Sequence, residues 1–392
     1  MLRAYKTEIY PTEEQKKKIN EGIGICRWLY NSYLSKNQEL YKKFQDGLIS
    51  KKEATLSANN FDKYINNEVK VLDQYKWIDV CGSKARKKAI CNAEAAYKRF
   101  FKGQSKFPKF KKKNKSDVKL YFPKNNKTDW KIERHRLNVP TLKWVRLKEK
   151  GYIPTNLKVV NGTISKKADR YFVSIIFEEE IEIQKNNNSK GLGIDLGLKE
   201  FAVISNGIYK KNINKTAKVK KIEKKLKREQ RKLSRKYESL KITTKKEVAT
   251  RQNIQKQIVK VQIIHQRLKN IRTDYINKII DEIVKQKPSY ITIEDLNVSG
   301  MMKNKHLAKA VASQKFYEFR IKLEYKCKLN GIELRIVDRF YPSSKTCSIC
   351  GAYKKDLKLS DRVYNCNECN SKIDRDYNAS INLENAKIYK IA

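Results

Sequence analysis

Four cysteines and a few carboxylates carry the chemistry legible in this sequence. Cys347 and Cys350 form one CxxC pair, Cys366 and Cys369 a second, with fifteen residues between the pairs. That is the spacing of a four-thiolate zinc ribbon, because each tight CxxC turn aims two sulfurs at one ion. With all four positions filled by thiolate no place is left for a catalytic water, so one Zn²⁺ is expected in a structural role. The acids are scattered. Asp195 lies in GLGIDLG, Glu294 in YITIEDL, and Asp374 and Asp376 in DRDYNASINL. Hard carboxylate oxygens suit Mg²⁺, and two such ions about 4 Å apart serve phosphodiester hydrolysis by orienting water and stabilising the leaving oxygen. Only three histidines occur (His135, His265, His306), which leaves few candidates for a histidine triad. No GxxxxGK[ST] run supports nucleotide hydrolysis.

Charge narrows the partner. The 392 residues hold 89 Lys and Arg against 42 Asp and Glu, a net +47. Self-repulsion on that scale calls for a polyanion, and nucleic acid is the expected one rather than an anionic membrane surface. With 40% apolar residues the chain can bury real cores, and its length allows two to three domains. The start, MLRAYKTEIYPTEEQ, has no apolar signal core, and no stretch approaches the ~20 apolar residues of a membrane span. Cys26, Cys81, Cys91 and Cys327 stand alone, poor material for a disulfide framework and good material for a reduced cytoplasmic protein.

These residues must be positioned by a recognisable set of elements. Residues 16–100 read as mostly helical, with Glu14, Ile19, Ile23, Cys26 and Leu29 at helical spacing and AICNAEAAYKRFF (89–101) as a further helix. From 116 to 180 short alternating runs predict strands, with Asn161-Gly162 as a hairpin turn. The polar run 184–190 marks a domain boundary. Beyond it come a strand carrying Asp195, a return strand FAVIS closed by Asn206-Gly207, and 80 residues (208–287) without Gly or Pro. Two apolar stripes in that segment, one from Ile222 to Leu240 and one from Ile254 to Ile279, fit two long helices broken near 242–246, with His265 packed on the second stripe. The segment holds 26 Lys/Arg against seven acids, an excess that points to phosphate contact. A strand at 289–296, a helix at about 308–329, a strand at 332–340 and a helix from about 377 complete the chain.

Strand alternation sorts the acids. Leu192, Ile194 and Leu196 share one face, and Gly191, Gly193, Asp195 and Gly197 the other, where the bare glycines leave space for a backbone, a metal ion or a phosphate. Glu294 shares a face with Tyr290 and Thr292, while Asp295 points away. An Asp before the last helix could simply cap it. In the first half, Tyr97, Phe100, Phe101, Phe107 and Phe110 are interleaved with cations. Lys106, Lys109, Lys111, Lys112 and Lys113 are candidate nucleic-acid contacts, with Phe100 and Phe101 expected in the core.

Read together, KTEIYPTEEQKKKIN, FPKFKKKN, GIDLGLKEFAV, ITIEDLNVSGM, FYPSSKTCSICG and DRDYNASINL resemble, in order, the signatures of the TnpB (OrfB) family of insertion-sequence proteins, relatives of type V CRISPR effectors. The resemblance spans nearly the whole chain. It implies an α+β multidomain protein. A wedge-type β-barrel (1–15 and 116–185) with an inserted helical recognition domain (16–115) would precede a RuvC-like nuclease domain of RNase H fold (186–392). That second domain would hold a helical insertion (208–287) and a zinc ribbon (345–372). It further implies an RNA-guided, metal-dependent DNA endonuclease that binds a guide RNA and double-stranded target DNA and cuts beside a short adjacent motif. The implied catalytic acids are Asp195, Glu294 and Asp376, holding two Mg²⁺. Asp376 is preferred to Asp374 because the family's third acid sits two residues before the Asn378-Ala379 pair. Rival readings are a guide-loaded DNA-binding repressor, a strand-joining transposase and a miniature CRISPR effector.

Overall fold

In the computed structural model, residues 1–50, 52–113, 116–124, 126, 129–180, 190–240, 247–358 and 360–392 are described. The chain divides into two compact units, Met1–Glu180 and Ile181–Ala392. The boundary expected at 185/186, and the helix break at 242–246, lie outside the described residues.

In the first unit β1 (Leu2–Tyr10) leads into α1 (Glu13–Gln45), α2 (Ala58–Tyr64) and α3 (Ser83–Phe101). Six strands follow: β2 (Lys119–Pro123), β3 (Lys131–Ile132), β4 (Arg136–Val139), β5 (Lys143–Leu147), β6 (Lys158–Lys167) and β7 (Arg170–Glu178). Thr12 starts α1 as a capping box: its hydroxyl accepts from the Gln15 N–H at 3.3 Å, and the Gln15 side chain accepts from the Thr12 N–H at 3.0 Å. The strands form one antiparallel sheet in the order β2-β6-β7-β1-β5-β4-β3. The expected barrel is therefore an open sheet, since no pairing joins β2 to β3 among the described residues. Two residues of β3 offer too short a ladder to close it.

Asn161-Gly162 is not a turn. Both residues lie inside β6, paired to β7 and β2, and the hairpin reverses at Ala168, where φ is +55°. Gly162 is needed for room, because a Cβ there would fall 2.4 Å from the Trp130 ring.

The second unit centres on a mixed sheet in the order β10-β9-β8-β11-β12-β15. Its strands are β8 (Leu192–Leu196), β9 (Glu200–Ile204), β10 (Tyr209–Lys211), β11 (Tyr290–Glu294), β12 (Glu333–Val337) and β15 (Lys390–Ile391). A separate hairpin pairs β13 (Val363–Asn365) with β14 (Lys372–Asp374). Parallel pairing of β8, β11 and β12 makes the middle of the sheet a two-sided core, so Ile291, Thr292 and Ile293 are all buried. Ile194, Phe201, Ile280, Ile283, Phe316 and Phe319 fill one side. Between β10 and β11 run α4 (Ala217–Ser239) and α5 (Glu247–Lys285). After β11 come α6 (Val298–Met301), α7 (Ala308–Gln314) and α8 (Phe316–Leu329). The single helix expected over 308–329 is broken at Lys315, which adopts φ +59°.

The helical stripes of the α4–α5 pair are only partly apolar. Gln257 donates to the Glu229 carboxylate at 2.9 Å in the buried seam, while Tyr237 is exposed. His265 is exposed as well, 3.4 Å from Gln230, rather than packed, because Ile264 and Leu268 turn the buried face away from it.

Candidate active site and cysteine cluster

Asp195 and Glu294 sit at the C-terminal ends of neighbouring parallel strands, β8 and β11, whose register pairs Ile194 with Ile293. The third acid arrives on α9 (Arg375–Glu384), which packs directly across β8. A Cβ on Gly193 would lie 1.9 Å from the Ser380 carbonyl and 2.4 Å from the Glu384 nitrogen. The glycines beside Asp195 therefore admit a helix backbone, and at Gly191 the Tyr290 ring, rather than a ligand. That close approach carries Asp376 to Asp195.

Burial, then the Glu294 and Asp376 carboxylates, push the Asp195 pKa well above the usual carboxylate range, with Arg375 partly offsetting them. Burial also raises Glu294, against a lowering hydrogen bond from Ser343. Arg375 donates to Asp376 at 2.9 Å. Asp374 has a different task. Its carboxylate accepts from the backbone N–H groups of Asp376 and Tyr377 at 3.1 and 3.0 Å, capping α9. Asp295 is ion-paired instead, to Arg320 at 2.6 Å and Arg339 at 3.3 Å, and lines the same cavity as Glu294. A cavity of about 370 Å³ opens beside Glu294, lined in part by Arg339 and the exposed Phe340.

The hard oxygen donors of Asp195, Glu294 and Asp376 suit a divalent cation, which would relieve the mutual repulsion that raises Asp195. Their oxygens are not drawn into one tight cluster. Among the described residues, the four cysteines are the one group of three or more potential ligands whose donor atoms all lie within 4.8 Å of one another. Ser343 and Arg375 hold two of the acids.

Cys347, Cys350, Cys366 and Cys369 converge closely. Sγ–Sγ separations are 3.7 Å for Cys347–Cys369 and 3.5 Å for Cys350–Cys366, near the ~3.8 Å edge of a tetrahedron built from Zn–S bonds of about 2.3 Å. Burial pushes the Cys347 thiol up. Hydrogen bonds from the Cys350 and Ile349 backbone and the Ser371 hydroxyl outweigh it and bring the pKa down to about 6, favouring thiolate. The four residues fit zinc.

In the first unit, Lys106, Lys109, Lys112 and Lys113 are exposed on the irregular segment after α3. Lys111 is pinned there. Its backbone N–H donates to Asn31 at 2.7 Å, its ammonium lies 4.9 Å from the Tyr30 ring centroid, and it lines a cavity of about 620 Å³ with Lys98, Arg99, Lys102 and Lys119. Phe100 is half-buried and Phe101 is 77% exposed, so only the first approaches a core position. Sequence reasoning did not single out Ser343, Arg375 or Asn382, and used Asn378 only as a landmark for Asp376. Arg375, beside Asp376, could have been suspected from adjacency, but Ser343 reaches Glu294 across 49 residues with no local signal.

Fold and site together define an α/β protein with two carboxylates at the C-terminal ends of central strands of a mixed sheet, and a four-thiolate cluster. Residues 1–46 match the helix-turn-helix domain of the OrfB family of IS605 type, 174–305 its "Probable transposase" domain, and 316–383 the Cas12f1-like TNB domain. The chain is 28% identical to "Putative RNA-guided DNA endonuclease InsQ" of Escherichia coli K12, over 97% of this chain and 91% of that one. It is equally similar to a protein of Streptomyces pristinaespiralis named "Putative RNA-guided DNA endonuclease", over 97% and 88%. A solved Cas12f1–sgRNA–target DNA complex shares the fold, with TM-score 0.56 and 15% identity over 100% of this chain and 99% of that one. These matches support a TnpB-family protein related to the type V effectors. Among the described residues no helix is long and apolar enough to cross a membrane.

Proposed function

We propose that the chain is an RNA-guided DNA endonuclease of a transposable element, acting in the cytoplasm and cutting duplex DNA beside a short motif. The observation that carries this reading is electrostatic: Glu294 and Asp376, arriving on two other elements, add to burial in raising the pKa of Asp195, a repulsion that structure alone does not require. The net +47 and relatives named for this activity over 97% of the chain support it. In this reading the second half (186–392) is a RuvC-like domain of RNase H type, with a helical insertion (208–287) and a zinc ribbon (345–372). The first half (1–185) is the recognition half, with Lys106, Lys109, Lys111, Lys112 and Lys113 on phosphates. The guide supplies sequence specificity by base pairing, and the protein reads heteroduplex shape and backbone charge.

Asp195, Glu294 and Asp376 would hold two Mg²⁺, which when bound supply a Lewis acid and a more acidic water. The chain's own residues prepare that site. The Ser343 hydroxyl fixes one oxygen of Glu294, Arg375 steers Asp376, and Asp374 anchors the start of α9. One Zn²⁺ on the four cysteines would hold the ribbon together. Asp195→Ala should lower cleavage of a guide-matched plasmid in Mg²⁺ by at least about 10³-fold, with guide and target binding retained. Full cleavage by that variant, or cleavage by the wild type unaffected by EDTA, overturns the proposal.

A further inference from the structure

The acid pocket and the thiolate cluster share one loop. Residues 338–347 run from the end of β12 to the first thiolate, Cys347. Partway along, Ser343 is 4% exposed, and its hydroxyl donates to a Glu294 oxygen. Two asparagines on α9, one helical turn apart, grip the same loop. Asn382 donates to the Ser343 carbonyl at 2.7 Å and to the Thr346 carbonyl at 2.6 Å. Asn378, fully buried, donates to the Thr346 carbonyl at 2.7 Å and accepts from the Ser348 N–H at 2.8 Å. Cys347 is thus held between two clamped neighbours.

A buried amide is expensive unless its groups are paired, and a helix packing only for stability would bury apolar side chains there. Here the two asparagines spend their hydrogen bonds on one short stretch of main chain. Its ends are a partner of Glu294 and a ligand of the cysteine cluster. The connection also passes through α9, the helix that carries Asp376.

We propose that this clamped loop is a strut through which zinc occupancy sets divalent-cation affinity at the acid pocket, with Ser343 the positioning residue for Glu294. The inference rests on the metal-dependent reading of that pocket. With the Cys347 end tied to zinc, the loop has one path and Ser343 one place. With that end released, the asparagines hold the carbonyls but not the direction of the chain, and Glu294 loses its fixed partner. Hydrogen-bond partners behind metal ligands are worth about 10- to 100-fold in affinity.

The test measures Mn²⁺ affinity by electron paramagnetic resonance on the full chain, with zinc content and thermal unfolding followed in parallel. Ser343→Ala should weaken Mn²⁺ binding about 10-fold at unchanged zinc content, and Ser343→Thr should restore it. Cys350→Ser, which removes a zinc ligand, should weaken Mn²⁺ binding similarly, and the double variant should be no weaker than either single one. Equal Mn²⁺ affinity in wild type and Ser343→Ala, or additive losses in the double variant, overturns the strut. Asp195→Ala separates this from failure of the nuclease reading. If wild type shows no Mn²⁺ binding that this variant removes, the metal-dependent pocket itself falls and the strut with it.

Discussion

Glu294 and Asp295 are neighbours on the chain and opposites in surroundings. Glu294 is largely buried, which raises its pKa against a lowering hydrogen bond from Ser343, and its charge in turn raises Asp195. Asp295 faces Arg320 and Arg339, whose hydrogen bonds and charges hold its carboxyl below the usual range. Glu318 on α8 belongs to the second environment. Burial alone would raise it, but hydrogen bonds from Lys315, Lys322 and Thr273 outweigh burial and bring it down to about 2. Carboxylates set among cations stabilise the fold as they ionise. Carboxylates set among carboxylates do the reverse, and are retained where chemistry needs a concentrated negative charge.

The largest effect expected on this contrast comes from the packing that enforces the acid pocket. Gly193→Ala would drive a methyl group into the backbone of α9 and lower stability by about 3 kcal/mol in urea unfolding. Gly207→Ala, in a turn with nothing within 4 Å of the added carbon, replaces a residue at φ +85° and should cost only about 1 kcal/mol. Equal effects at the two glycines would mean that the α9–β8 approach does not hold the pocket.

Glu318→Gln sharpens the ion-paired side. The folded pKa lies below the ordinary one, so the stabilisation is present above about pH 4.5 and is lost as pH falls toward 2. The variant should be about 1–2 kcal/mol less stable at pH 7, with the gap closing through that window in urea unfolding at a series of pH values. A pH-independent gap would assign the loss to packing.

Asp195→Asn tests the opposite sign. The folded pKa is raised, so ionisation weakens the metal-free protein as pH rises above the ordinary carboxylate range. In EDTA at pH 7 the variant should melt about 3 °C higher than wild type, and Mg²⁺ should then stabilise wild type alone. A lower melting temperature would show that the carboxylate contributes more by hydrogen bonding than it loses by repulsion.

What could be read in the sequence was local. The two CxxC pairs are legible because their geometry is set by turns of four residues and one short arm, and their sulfurs do converge. GIDLG and ITIEDL read as strands and are strands, although parallel pairing buries both faces of each, so burial does not alternate along them. Asn161-Gly162 failed for the complementary reason. The dipeptide favours a turn only when no neighbouring side chain needs the glycine's empty space, and Trp130, distant in sequence, fills it. His265 sat on a plausible stripe, but which helix face is buried depended on the partner helix.

By itself, then, the sequence determined the alternation of helical and strand-rich regions, the thiolate cluster and the overall charge, each written in spacing or composition. Tertiary structure alone decided that the glycines around Asp195 admit a helix and a ring, that Asp374 caps that helix, that the first sheet stays open, and that Ser343 meets Glu294. Those outcomes depend on which distant backbones pass within a few ångströms of each other, and close packing settles that only when the whole chain is in place.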